Sequence, residues 1–191
     1  MFKNTIGRCP PKGGRVQFLD RMIAMQQFLI PEKRAKLLED PSLVSSICAR
    51  LGCEISLRDG RELVITGEPF DEYNAKNVMQ AFARGFDIDT AYKLLSDDYF
   101  FKSINLKEIF EKKERIQRIK ARIIGREGRA KEYMQSISGA DLSVYGNTVS
   151  VIGTPDELRI ISAALDILIE GGTHKKAYVV MEKTKKSVAR R

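Results

Sequence analysis

Apolar residues along this chain alternate with a period of two, then recur every three to four positions, and the same succession of patterns occurs twice. In the later occurrence Leu142 and Val144 alternate with Ser143, Gly146-Asn147 supplies a hairpin-type turn, and Val149 and Val151 alternate again. That predicts two paired, half-buried strands. A helix follows. Thr154 is a good N-cap, Pro155 fits the first helical position and Glu157 completes a capping box, while Leu158, Ile161, Leu165 and Leu168 fall on one face until Gly171-Gly172 ends it. The earlier occurrence has Ile55 and Leu57, the turn Asp59-Gly60, Leu63 and Ile65, then Gly67 and a helix with Ala75, Val78 and Phe82 that stops at Gly85.

The stretch Gly52 to Tyr73 matches the stretch Gly139 to Ile160 at an offset of 87 that becomes 86 across one deletion, so that Tyr73 falls on Arg159. Gly52 pairs with Gly139, Gly60 with Gly146, Gly67 with Gly153 and Pro69 with Pro155. Two copies of one module are present. More helix lies upstream of each strand pair. In the second copy Ile116, Ile119 and Ile123 form a stripe that ends at Gly125, and Ala130, Tyr133, Met134 and Ile137 continue it after the break Gly125-Arg126-Glu127-Gly128. The first copy has Arg34 to Leu38, a break at Pro41, then Leu43, Val44, Ile47 and Leu51. Gln27 to Ile30 and Phe100 to Leu106 predict a leading strand for each copy. The module reads β-α-α-β-β-α, an α+β layer with helices on one face of a three-stranded antiparallel sheet.

Charge adds a location. The 191 residues carry 33 Lys+Arg against 25 Asp+Glu, a net +8, yet residues 31–172 sum to −2 while 1–30 carry +4 and 173–191 carry +6. A polyanion partner is implied, with the excess at basic, flexible ends. No apolar run approaches the ~18 residues needed to cross a bilayer, and the N-terminus lacks a signal-peptide stretch, so a cytoplasmic protein with no membrane partner is expected. Cys9, Cys48 and Cys53 form no C-x-x-C pair, and the single His174 removes most imidazole chemistry. No metal, cofactor or enzymatic activity is expected.

The break between the helices carries the candidate chemistry. A G-x-x-G joining two helix ends lets phosphates approach unpaired backbone N–H groups. Arg115, Arg118 and Arg122 fall at i, i+3 and i+7 before it, and Arg126, Arg129 and Lys131 surround it. Alone the tetrapeptide is weak evidence, but Ile123-Ile124-Gly125-Arg126-Glu127-Gly128 is followed, eleven residues after Gly128, by Gly139-Ala140-Asp141-Leu142. In that spacing and element order the second module resembles the type I KH domain, a module that binds single-stranded RNA and DNA. The resemblance implies a phosphate clamp at Gly125 to Gly128 and an apolar groove for bases at Ile124, Ala130, Met134, Leu142 and Val144. Two residues depart from the family pattern: Lys131 stands where an aliphatic groove residue is usual, and Glu127 places a carboxylate in the clamp.

At the repeat offset Gly125 and Gly128 correspond to Leu38 and Pro41, so the first module has Leu38-Glu39-Asp40-Pro41 in place of the clamp. Its acidic side chains repel phosphate and Pro41 lacks a backbone donor. This module keeps the fold without the grip, which suits contact with the other module or a protein. A degenerate KH domain, a second one with G-x-x-G and a basic tail resemble the archaeal relatives of the Krr/Pno (partner of Nob) family of small-subunit assembly factors. That resemblance implies binding near the 3′ end of small-subunit rRNA, alongside the endonuclease Nob, and contact with the alpha subunit of translation initiation factor two.

The expected organisation is a basic extension at 1–21, with Met22 and Met25 as alternative starts, a degenerate KH domain at 22–86, a linking helix and KH domain at 87–172 packed against it, and a basic tail at 173–191. The tail either folds on the KH surface as a helix or stays disordered. Tyr99-Phe100-Phe101 reads as a strand buried at the junction in preference to a base-stacking platform, and Asp97-Asp98 as a turn. A protein-interaction scaffold with only non-specific RNA affinity from the tail is the competing function. A nuclease would need a carboxylate cluster that the sequence does not show.

Overall fold

The computed structural model describes residues 26–190. The expected extension at 1–21, with Cys9, and the starts Met22 and Met25 lie outside the described residues. The chain divides between Ala83 and Arg84 into two compact units.

The first unit contains β1 (Gln26–Leu29), α1 (Glu32–Ala35), a 3-10 turn (Lys36–Glu39), α2 (Pro41–Leu51), β2 (Glu54–Arg58), β3 (Glu62–Thr66) and α3 (Pro69–Ala83). Its sheet has the order β1-β3-β2, antiparallel throughout, with Phe28 opposite Leu63 and Ile55 opposite Ile65. The apolar stripes fall inward as the spacing requires: Val44, Ile47 and Leu51 of α2 and Ala75, Val78 and Phe82 of α3 are buried. The first helical stretch, α1 continued by the 3-10 turn, ends at Glu39, because Asp40 precedes a proline and turns to ψ 111°.

The second unit contains α4 (Ile88–Ala91), β4 (Phe100–Asn105), α5 (Leu106–Ile109), α6 (Lys113–Ile124), α7 (Arg129–Ser138), β5 (Asp141–Tyr145), β6 (Thr148–Gly153), α8 (Pro155–Ile169) and α9 (His174–Val188). Its sheet repeats the first in the order β4-β6-β5, again antiparallel. The one-residue difference between the repeats is a turn: Asp59-Gly60-Arg61 joins β2 to β3, whereas Gly146-Asn147 alone joins β5 to β6. Gly52 and Gly139, paired in the repeat, are the left-handed C-caps of α2 and α7. Thr154 and Glu157 form the expected capping box.

In the second unit one open choice is decided and two expectations change. The basic tail takes the helical alternative: it is α9, capped by Thr173, with Ala177 and Met181 fully buried in the same core as Ile161, Leu165 and Leu168 of α8. Ala177 and Met181, four apart, dock the helix despite its charge, with Tyr178 and Val188 packed beside them. Ser143, read as the solvent side of its strand, is buried and donates to the carbonyl of Arg84 at 2.9 Å, because the segment leading into this unit returns across the sheet face opposite the helices. Phe86 on that segment meets Phe101 edge-to-face at 6.4 Å between ring centres. Phe100, expected to be buried, is 49% exposed. Asp97 and Asp98 form a turn, with the Asp98 N–H 3.5 Å from Ser96 Oγ. No described helix is long and apolar enough to cross a membrane.

Candidate nucleic-acid interface

Helix α6 ends at Ile124 because Gly125 turns the chain to φ 74°, ψ 176°. A Cβ at Gly125 would lie 2.6 Å from Ala130 Cβ and 2.8 Å from the Ala130 nitrogen, so only glycine permits this turn with α7 so close. Glu127 and Gly128 follow with φ 57° and 81°. Helix α7 then starts at Arg129 with Gly128 as its N-cap and no side chain bonded to its first turn. The Gly128 and Arg129 N–H groups bond back into the loop, to the carbonyls of Gly125 (3.4 Å) and Arg126, while the next N–H groups of α7 and the positive end of its dipole are offered to an external anion.

The corresponding place in the first unit is filled from within. Asp40 is the N-cap of α2, and its carboxylate accepts from Ser42 N–H at 2.9 Å and from Ser42 Oγ–H at 2.7 Å. Those bonds hold the Asp40 carboxyl below its ordinary pKa. Glu39 and Pro41 flank it in the sequence. Leu38 is buried, and between it, Val44, Ile55 and Leu57 there remains a niche of about 20 Å³, room for about one water. An intramolecular carboxylate thus occupies the helix end that a phosphate would need.

Around the second unit's loop, Arg126 is exposed and Lys131 half-buried. Glu127 does not present an isolated charge to the clamp: its Oε2 lies 2.6 Å from the Arg129 guanidinium. Of the expected groove residues, Ile124 and Val144 are half-buried at the surface. Ala130, Met134 and Leu142 are 7%, 0% and 2% exposed, so they support the groove from beneath and do not line it. Met134 sits one turn beyond Ala130 on the face of α7 that stacks on the core, which is why the same periodicity fits both roles.

Two of the three arginines of α6, Arg115 and Arg122, are held elsewhere in the fold. Arg115 and Ile124 are nine residues apart, about 900° around the helix and so on opposite sides of it. Arg122 is committed within the fold: its guanidinium donates to the carbonyls of Gly171 (3.1 Å) and Gly172, and its own carbonyl lies 2.8 Å from His174 Nε2. Arg115 lies over the Phe110 ring at 4.3 Å. Sequence spacing identified the basic face but gave no sign of the neighbouring α8–α9 turn.

Residues 100–186 match the model of the second KH domain of PNO1, described as a eukaryotic type KH-domain (KH-domain type I). A KH domain-containing protein of Methanocaldococcus jannaschii is 30% identical over 168 residues, covering 84% of this chain and 74% of that protein. The chain belongs to the Pno1-type family of KH proteins. This KH protein is also similar to the pre-rRNA-processing protein pno1 of Schizosaccharomyces pombe, with 29% identity over 120 residues. That match covers 62% of this chain and 50% of the other, so the KH protein spans about half of its yeast relative. A chain in the crystal structure of an a/eIF2alpha-aDim2p-rRNA complex from Pyrococcus horikoshii superposes with a TM-score of 0.77 at 29% identity, covering 89% of this KH protein and 98% of that chain. Among the described residues no group of three His, Cys, Asp or Glu could hold a metal ion.

Proposed function

We propose that this KH protein is a non-catalytic RNA-binding factor of small ribosomal subunit assembly that holds single-stranded rRNA near its 3′ end through the second unit. The observation that carries the reading is the open N-terminus of α7 behind Gly125 to Gly128, set against its closed counterpart at Asp40. Phosphates would be gripped by the backbone donors and Arg126, with Arg129 and Lys131 beside them, and bases would rest on Ile124 and Val144. The pre-rRNA-processing relative and the rRNA-containing neighbour support that substrate class. The same neighbour supports the alpha subunit of translation initiation factor two as a partner. The endonuclease Nob is proposed from the family resemblance, and the cytoplasm is the matching compartment.

The test is binding of the full chain to an oligonucleotide of the small-subunit rRNA 3′ end. The wild-type protein binds with sub-micromolar affinity. The double variant Arg126→Asp with Glu127→Asp, which keeps a residue tolerant of positive φ at 127, weakens binding by about tenfold or more with unchanged circular dichroism. Undiminished binding removes the loop from the reading.

A further inference from the structure

On the side of α6 away from the loop, Lys112, Arg115 and Arg118 border a cleft of about 470 Å³ whose apolar floor is Ile119 and Ile169 and whose far end is Gly171. Glu114 is the one carboxylate on its rim. Among the described residues none of the three cations forms an ion pair. Arg122, in the same wall, already satisfies the carbonyls of Gly171 and Gly172, so the negative end of α8 is neutralised before any ligand arrives. Arg115 is steadied against Phe110, which fixes the plane of its guanidinium.

We propose that this cleft is a second phosphate-binding site, taking the backbone of a single-stranded RNA that continues beyond the G-x-x-G loop. The proposal rests on the reading of the loop as an RNA clamp and extends it to a surface outside the KH groove. Two guanidinium groups and an ammonium around a shallow apolar floor suit phosphates with a base laid between them. Arg118 stands seven residues before Gly125 on one rigid helix, about 10 Å along its axis, so a strand leaving the loop meets it after a short path around α6. An acidic protein segment would satisfy the charge as well. The position on the helix that leads into the clamp favours RNA.

The experiment compares short single-stranded RNA of about six nucleotides, enough to fill a KH groove, with RNA of about sixteen, using the full chain at two salt concentrations. The variant Arg115→Glu with Arg118→Glu, and the milder Arg115→Gln with Arg118→Gln as a folding control, are expected to weaken the long RNA by about tenfold and to lower its salt slope by ~1.4, with the short RNA unchanged. Equal weakening of both lengths overturns the proposal, since it makes the cleft part of the groove. Equally, undiminished long-RNA binding overturns it, as does displacement of the cleft's NMR signals by polyglutamate and not by long RNA. The Arg126→Asp, Glu127→Asp variant separates the two readings, because it weakens both lengths when the clamp holds RNA and neither when it does not.

Discussion

The backbone carbonyl of Arg122 lies 2.8 Å from the ring Nε2 of His174, the first residue of α9. With its guanidinium on Gly171 and Gly172, Arg122 joins the middle of the second unit at three points to the α8–α9 turn and the start of the last helix. Replacing Arg122 with Ala therefore costs about 1.5–3 kcal/mol of unfolding free energy, the range for hydrogen bonds to a charged group. RNA affinity of the folded variant is expected to stay within about twofold, because the guanidinium is already taken up by the carbonyls of Gly171 and Gly172. Urea unfolding followed by RNA titration checks both halves.

The Glu127–Arg129 pair is exposed on both sides, so it contributes little to stability, about 0–1 kcal/mol. Its effect is on charge at the clamp. Glu127→Asn, which suits positive φ, releases Arg129 and removes a repelling carboxylate. Affinity for single-stranded RNA is expected to rise about threefold to tenfold with a salt slope steeper by ~1, while the melting temperature barely moves. An unchanged slope in titrations at several salt concentrations removes Arg129 from the interface.

Asp40 makes the first unit sensitive to acid. Its folded pKa lies below the ordinary 3.8 because the carboxylate is held by Ser42. A depressed folded value means stabilisation that is fully present above the unfolded pKa and is lost as pH falls through the folded one. The loss belongs to the region below about pH 4. Asp40→Asn keeps a capping side chain and removes the titration, so the gap in urea midpoint between the two proteins should narrow between neutral pH and pH 2 to 3.

Helix α9 can be probed without removing it. Truncation after Gly172 would strip Ala177 and Met181 from the core and confound folding with binding. Met181→Ala alone is expected to destabilise the protein by about 2–4 kcal/mol. Replacing the exposed Lys175, Lys176, Lys183 and Lys186 with Gln leaves the core intact. If the loop carries recognition, this variant keeps its preference for the rRNA 3′ end over unrelated RNA and loses part of its salt dependence. Loss of all RNA binding points instead to a scaffold with a basic tail.

Much of the fold was legible because its signals are local. Thr154, Pro155 and Glu157 start α8 wherever it packs, and the one-residue slip in the repeat maps onto one turn. The site was legible as far as backbone geometry depends on residue type: Gly125 and Gly128 make the loop, and Leu38 to Pro41 cannot. Met134 and Leu142 were placed one layer too near the surface, since period alone gives the inward face of α7 and β5 but not the depth of what covers it.

The sequence by itself determined the two modules, their element order, their caps, and which copy has glycines where a phosphate could approach. Those properties depend on residues within a turn or two of each other. Only the tertiary structure decided that Arg122 is taken up by the end of α8, that the basic tail is a core helix, and that Arg115 and Arg118 face a cleft away from the groove. The first is settled by neighbours about 50 residues away, and each depends on an element that returns from elsewhere in the chain. A helical period marks the charged side of α6, but what lies beside it depends on where the chain returns.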